Sequence, residues 1–266
     1  MNIGVVLLLL QSTLPTFAHG MQPIHEAAAS GDVAGVLAEV CEGVSIDLRD
    51  DDGFTALHYA LAAGKPEVAI ALLDGGADIN APGRYGVTPL HLTIAANDPK
   101  ATALLLERGA EPSPHLGAAE FTRIDPLAWK RYPGGRDARA ISPVHGEEVK
   151  VPLTFSLRAG DRRVSAVCHD KDTPLHWAVH RGNPDTVALL LEMGADANAQ
   201  AWYGWTPLHE AAQKGSGRLA ILLLDAGADP SARMTNGEPG LTPLAVADRC
   251  GNYELARLIR QRGGSD

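Results

Sequence analysis

At 266 residues, 45% of them apolar, the chain is long enough to bury a core of its own and too apolar for most of it to be disordered. Its 23 basic against 32 acidic side chains leave a formal charge of -9, the wrong sign for wrapping nucleic acid through its phosphates. Three cysteines, Cys41, Cys168 and Cys250, are too few for a disulfide framework or a four-thiolate zinc site, so packing must hold the fold together.

Residues 1–18 read as a secretory signal peptide. Ile3 to Leu10 form an apolar run, and Thr16-Phe17-Ala18 place small residues where a signal peptidase reads. The first basic side chain is Arg49, so the α-amine alone supplies the positive end of this leader. The run is shorter than the ~20 residues that span a bilayer, so no membrane span is expected. Cleavage near Ala18 makes the protein exported, secreted or periplasmic; with an uncleaved leader the alternative location is cytoplasmic.

From Gln22 onward the chain repeats itself. Thr55-Ala56-Leu57-His58 returns as Thr88-Pro89-Leu90-His91, Thr173-Pro174-Leu175-His176, Thr206-Pro207-Leu208-His209 and Thr242-Pro243-Leu244-Ala245, and Gln22-Pro23-Ile24-His25 precedes them. The intervals are 33, 33, 85, 33 and 36 residues, a fixed period broken by one long and one short insertion. In each unit Thr is a helix cap and Pro suits the first helical position, where its missing N–H would be unpaired anyway. Gly31, Gly64, Gly182, Gly215 and Gly251, with Asn97 in the third unit, can take the left-handed conformation that ends this first helix. A second helix follows, with an aliphatic stripe such as Val68, Leu72, Leu73 or Val187, Leu190, Leu191, and stops at Gly-Ala-Asp. Departures at both ends, Gln22 for Thr in the first unit and Arg257, Arg260 and Arg262 in the last, are the polar faces of caps.

The period, the Thr-Pro-Leu-His start and the Gly-Ala-Asp-x-Asn-Ala close resemble the ankyrin repeat family. The resemblance implies an all-α repeat solenoid: six stacked helix-turn-helix repeats with β-turn fingers, a concave recognition face, and here one long, partly β-hairpin insertion. The organisation is residues 1–18 as leader, 21–115 as repeats 1–3, 116–167 as the insertion and 168–266 as repeats 4–6.

The insertion carries nine basic and six acidic side chains, net +3, against -12 for the rest of the chain. Its second half alternates around Phe155 and Leu157, turns at Arg158-Ala159-Gly160-Asp161 and continues through Arg162 to Val167, a β-hairpin pattern. It should project from a finger position without breaking the stack; docking on the acidic body and binding a partner are both open.

Contact residues in such stacks typically lie at finger tips and at the turn between helices. The resemblance therefore places partner contacts at Phe54, Arg84, Tyr85, Trp202, Tyr203 and Trp205 on fingers, and at His180, Arg181, Gln213 and Lys214 on turns. Exposed large aromatics are suited to binding because they bury much area at little rotamer cost. The partner is another protein, the chain a monomer, with no cofactor and no nucleic acid.

Chemistry finds little support. His25, His58, His91, His176 and His209 share one repeat position, where an imidazole bridges backbone groups of adjacent fingers; His176 and His180, four apart, are a weak metal pair. No metal site, nucleophile, phosphate loop or paired-carboxylate motif emerges. With helices packed ~8–10 Å apart, Cys41 and Cys250 should be about 40 Å or more from each other, so no intrachain disulfide is expected. The reading is an exported, non-enzymatic protein-interaction module that tethers or inhibits a partner. Two alternatives are an enzyme or metal-dependent protein with its chemistry in residues 116–167, and an intracellular scaffold with a misread leader.

Overall fold

The structure, a computed structural model, describes residues 21–116, 153–168, 171–235 and 240–265; the leader, residues 117–152 of the insertion, His169 and Asp170 are among those outside the described residues. Twelve α-helices among the described residues form six pairs. Units 1 to 3 are α1 (Pro23–Ser30) with α2 (Val33–Cys41), α3 (Ala56–Ala63) with α4 (Pro66–Asp74), and α5 (Pro89–Ala95) with α6 (Pro99–Glu107). A hairpin of β1 (Leu153–Ala159) and β2 (Arg162–Cys168) follows. Units 4 to 6 are α7 (Pro174–Arg181) with α8 (Pro184–Glu192), α9 (Pro207–Lys214) with α10 (Gly217–Asp225), and α11 (Pro243–Arg249) with α12 (Tyr253–Gln261). The first helices pack each on the next in one layer, with the second helices behind them.

Each first helix starts and stops as its residues dictate. Thr55, Thr88, Thr173 and Thr206 are extended N-caps, and the His three residues on completes a capping box by accepting the Thr backbone N–H at Nδ1. Gly64, Gly182 and Gly215 end α3, α7 and α9 in the left-handed region, and Asn97, at φ 54°, does the same after α5. Lys171 stands where the other fingers have Gly53, Gly86 and Gly204, and keeps their left-handed turn at φ 61° despite its side chain.

The other ring nitrogen joins one unit to the next. His58 Nε2 donates to the Val87 carbonyl at 3.1 Å, His176 to Trp205 at 3.1 Å and His209 to Leu241 at 3.1 Å, each carbonyl preceding the next unit's Thr. One imidazole thus caps its own helix and holds the following finger, as the repeated position implied. A second ladder runs through the loops. Asp78, Asp196 and Asp229 turn their own loops by accepting the N–H two residues on. Asp47, Asn80 and Asn198 accept backbone N–H groups of the following unit, from Asp78, Glu111 and Asp229 at 2.7–2.9 Å.

Stacking continues across the insertion. Asp196 N–H donates to Ser113 Oγ at 3.0 Å, Asn183 to Asn97 at 2.9 Å, and Leu116 N–H to the Asp172 carbonyl at 3.0 Å. His91 is the exception in the imidazole ladder: its Nε2 has no hydrogen-bond partner among the described residues, and its ring meets Trp177 edge-on at 5.0 Å. At the C-terminal end α12 buries Leu255, Ala256 and Ile259 and exposes Arg257, Arg260 and Arg262, the polar outer face a terminal unit requires. Cys41 and Cys250 are exposed, in the first and last units.

The hairpin does not project. Its residues register as expected, Leu157 opposite Val164 and Ala159 opposite Arg162 across Gly160-Asp161. Leu157, Ala159 and Val164 are buried on one face, whereas Ser156, Arg158, Arg163 and Ser165 are exposed on the other. With that apolar face β1 packs on α1 and α3, and β2 on α3 and α5. For the hairpin the expectation of projection is corrected by this alternation, which supplies an apolar surface to an alanine-rich one: all eight residues of α3 are buried, Leu61, Ala62 and Ala63 included. Burying an aliphatic side chain such as Leu157 or Val164 contributes about 1.5–3 kcal/mol, more than exposed charges in the same strands can offset.

The imidazole ladder makes stability depend on pH. Burial lowers His58 and His209 to about 4 and His91 to about 3, against an ordinary value near 6.5. The unfolded chain therefore takes up protons that the folded chain refuses, and stability is complete above about 6.5 and falls as pH drops toward 4. Urea midpoints should be level from pH 8 to 7 and decline steeply between 6.5 and 4, with losses of up to about 3 kcal/mol per such histidine. A flat profile across that window would contradict the neutral bridging role.

Candidate protein-binding surface

The hairpin divides the first-helix face. In units 2 and 3 the turn positions Ala62, Ala63 and Ala95 are buried, and Arg162 lies directly against Gly64, where a Cβ would strike its guanidinium. In units 4 and 5 the corresponding turn residues are open: His180, Arg181 and Lys214 are exposed and Gln213 is half-buried. The sequence-derived turn contacts are thus brought together on one open stretch of face at the C-terminal ends of α7 and α9.

A buried carboxylate organises that stretch. Glu210, on α9, receives His180 Nδ1 on one oxygen at 2.7 Å and the Trp205 indole N–H on the other at 3.1 Å. Burial alone would raise its pKa, but hydrogen bonds from His180 and Trp205 and the positive charges of His180 and Lys214 outweigh it and hold the carboxyl below its ordinary range. The interaction fixes the imidazole so that Nε2 is directed away from Glu210. Glu210 escaped the sequence reading, although four of the other five units carry Tyr59, Leu92, Trp177 and Val246 at that position and only the terminal first unit carries a charge, Glu26, so a charge there inside the stack was the available signal.

The finger residues separate into two groups. Tyr85 and Tyr203 sit at φ 59° and 52°, each followed by a Gly also in the left-handed region, and both side chains are half-buried. Two successive positive φ angles make the type I′ turn that suits a hairpin-like finger. Trp202 is half-buried, its ring 5.3 Å from that of Tyr203, and the next finger's Thr235 N–H donates to the Tyr203 carbonyl. Arg84 is exposed but engaged, paired with Asp52 of the preceding finger at 2.6 Å and lying 5.0 Å over the Tyr85 ring.

Phe54 and Trp205 are corrections. They are 2% and 6% exposed, so neither is an exposed anchor. Both stand immediately before the Thr cap, where the ring packs edgewise or tilted on the capping His at 5.3 Å instead of reaching solvent. The metal pair is likewise dismissed, since His176 spends Nδ1 on Thr173 and Nε2 on the Trp205 carbonyl. Among the described residues no group of three His, Cys, Asp or Glu side chains could hold a metal, and no helix is long and apolar enough to cross a membrane.

Two layers of capped helix pairs joined by finger turns define an ankyrin-type repeat protein. The ankyrin repeat family model, which spans three copies of the repeat, matches residues 2–82, 24–115 and 154–234, and the chain belongs to this family. It is similar to an ankyrin repeat domain of known crystal structure from Acinetobacter baumannii AYE, with 26% identity, a TM-score of 0.64, and coverage of 91% of this chain and 98% of that one. A segment of 77 residues, 28% of the chain, is 36% identical to the human palmitoyltransferase ZDHHC17, and spans only 10% of that protein's length. Ankyrin repeats are in general protein-protein interaction modules, typically without catalytic activity.

The division of the fingers is testable by truncation. Trp205→Ala should lower unfolding free energy by about 3–5 kcal/mol, because it empties a buried site and strips Glu210 of a donor. Trp202→Ala should cost less than about 1 kcal/mol. Urea unfolding of the two variants measures both, and equal small losses would return Trp205 to the exposed class.

Proposed function

We propose that this chain is an exported, non-enzymatic module that tethers or inhibits a partner protein through the first-helix face and fingers of units 4 and 5. The observation that carries the reading is the asymmetry of the face. The hairpin covers it over units 1 to 3, and beyond the hairpin His180, Arg181, Gln213 and Lys214 remain accessible on units 4 and 5, whose shared finger carries Trp202 and Tyr203. Such a surface has the composition of an interface: half-buried aromatic rings with little rotamer freedom supply area, and polar side chains on rigid helix ends supply orientation. Glu210 strengthens this reading because it immobilises His180 before any partner arrives, lowering the entropic cost of binding. Export rests on the leader alone.

Affinity capture from the native exported fraction tests the proposal. A protein should be retained by the wild type and lost from a folded His180→Ala, Lys214→Ala variant, and the mature N-terminus recovered there should lie near His19. Capture indifferent to the variant would move binding off this face, and an intact Met1 in that fraction would remove the cleaved leader.

A further inference from the structure

Among the described residues the hairpin that closes units 1 to 3 has no strand beyond its second one, and we infer that this edge, beside a cleft ringed by arginines, takes an acidic extended segment of the partner as a third strand. The inference rests on the protein-binding reading above and specifies the chemistry of its partner.

The direction of the edge follows from the packing. β1 lies over α1 and α3 and β2 over α3 and α5, so the outer side of β2 is turned toward units 4 to 6, the open part of the face. Its backbone polarity follows from the register. The two-residue turn makes Ala159 and Arg162 a hydrogen-bonded pair, pairs alternate from there, and Arg181, at the end of α7, donates from Nη2 to the Ser165 carbonyl at 3.0 Å on the outer side. Ser165 is therefore in a non-hydrogen-bonded pair with Ser156, and its N–H and C=O point outward. By alternation Arg163, opposite Arg158, presents its N–H and C=O the same way. Among the described residues Arg163 has no backbone partner on that side.

Charge decides what kind of strand fits. A cleft of about 210 Å³ lies along this edge, with Arg162, Arg163, Val164 and Ser165 on one side and Ala95, Ala96 and Arg181 on the other. Alternation puts Arg162 on the helix-facing side of the hairpin and Arg163 on the opposite side, while Arg181 stands across the cleft. Neither Arg162 nor Arg163 is paired with a carboxylate among the described residues, although the chain as a whole is at -9. An added strand sends successive side chains to opposite faces, so carboxylates of either parity meet a guanidinium. Its N–H takes the Ser165 carbonyl from Arg181, which is then free to pair with a carboxylate of the incoming segment. Backbone pairing supplies affinity here and the arginines supply specificity.

Fluorescence polarisation on the full chain tests this with a labelled octapeptide alternating valine and glutamate, its valine-lysine counterpart, an N-methylated valine-glutamate version, and a single-stranded oligonucleotide of matched charge. Ser165→Pro removes an outward N–H and no hydrogen bond of the ladder to β1; Ser165→Ala controls for the lost hydroxyl. The glutamate peptide should bind, the lysine and N-methylated peptides should not, and Ser165→Pro or the Arg163→Ala, Arg181→Ala pair should weaken binding about tenfold or more with Tm unchanged. No binding of the glutamate peptide, or binding indifferent to Ser165→Pro, would overturn the inference. Equal binding of the oligonucleotide would reduce the site to charge alone and overturn it too, and a dimer abolished by Ser165→Pro would give the edge to a second copy. If these fail while His180→Ala, Lys214→Ala still loses a captured protein, the strand edge falls and the protein-binding reading stands.

Discussion

A neutral imidazole shared between neighbouring units is the interaction on which the remainder of this fold depends. In one ring, Nδ1 accepts from the Thr N–H that begins its own helix and Nε2 donates to the carbonyl that precedes the next unit's Thr. Only the neutral form has one donor and one acceptor, so the bridge demands that the ring never take up a second proton. Burial enforces that condition, and repetition at a 33-residue period converts a local cap into a continuous ladder. Because each ring links only nearest neighbours, the stack accepts an insertion at one junction while Ser113, Asn97 and Leu116 hold units 3 and 4 together.

The hairpin gives this otherwise periodic molecule its direction. Its buried Leu157, Ala159 and Val164 find a surface of small side chains on α3, and small residues there allow a sheet to approach closely. Half of the face is thereby occupied from within, and the half left open is where Glu210 fixes His180 and where Arg181 reaches back to the hairpin. Which part of the face stays open is a consequence of which positions the chain covers for itself, more than of the repeats alone.

Most of the architecture was legible in the residues because its signals are local. Thr-Pro starts, Gly stops and the aliphatic stripes are each decided within a turn of helix, and even Asn97 declared its left-handed conformation by composition. The hairpin was legible by alternation, down to the turn at Gly160-Asp161. Its destination was not, because no single segment records that the apolar side of a strand matches alanines about a hundred residues earlier. The same limit explains Phe54 and Trp205: position on a finger is local information, but the inward turn of a ring onto a histidine one helical turn away is a packing outcome. Glu210 and His180 are 30 residues apart and belong to different units, so their pairing too awaited the stack.

Native-state hydrogen exchange of the full chain measures the central claim, that the insertion hairpin seals the first-helix face of units 1 to 3 and leaves units 4 to 6 open. Comparison of the wild type with Leu157→Asp, Val164→Asp, which places two charges on the buried side of the hairpin, should show faster exchange in the hairpin and at the ends of α3 and α5 near Ala63 and Ala95. Exchange in α9 and α11 should be unchanged. Hairpin amides that are already unprotected in the wild type, or a variant indistinguishable from it at α3 and α5, would contradict the account.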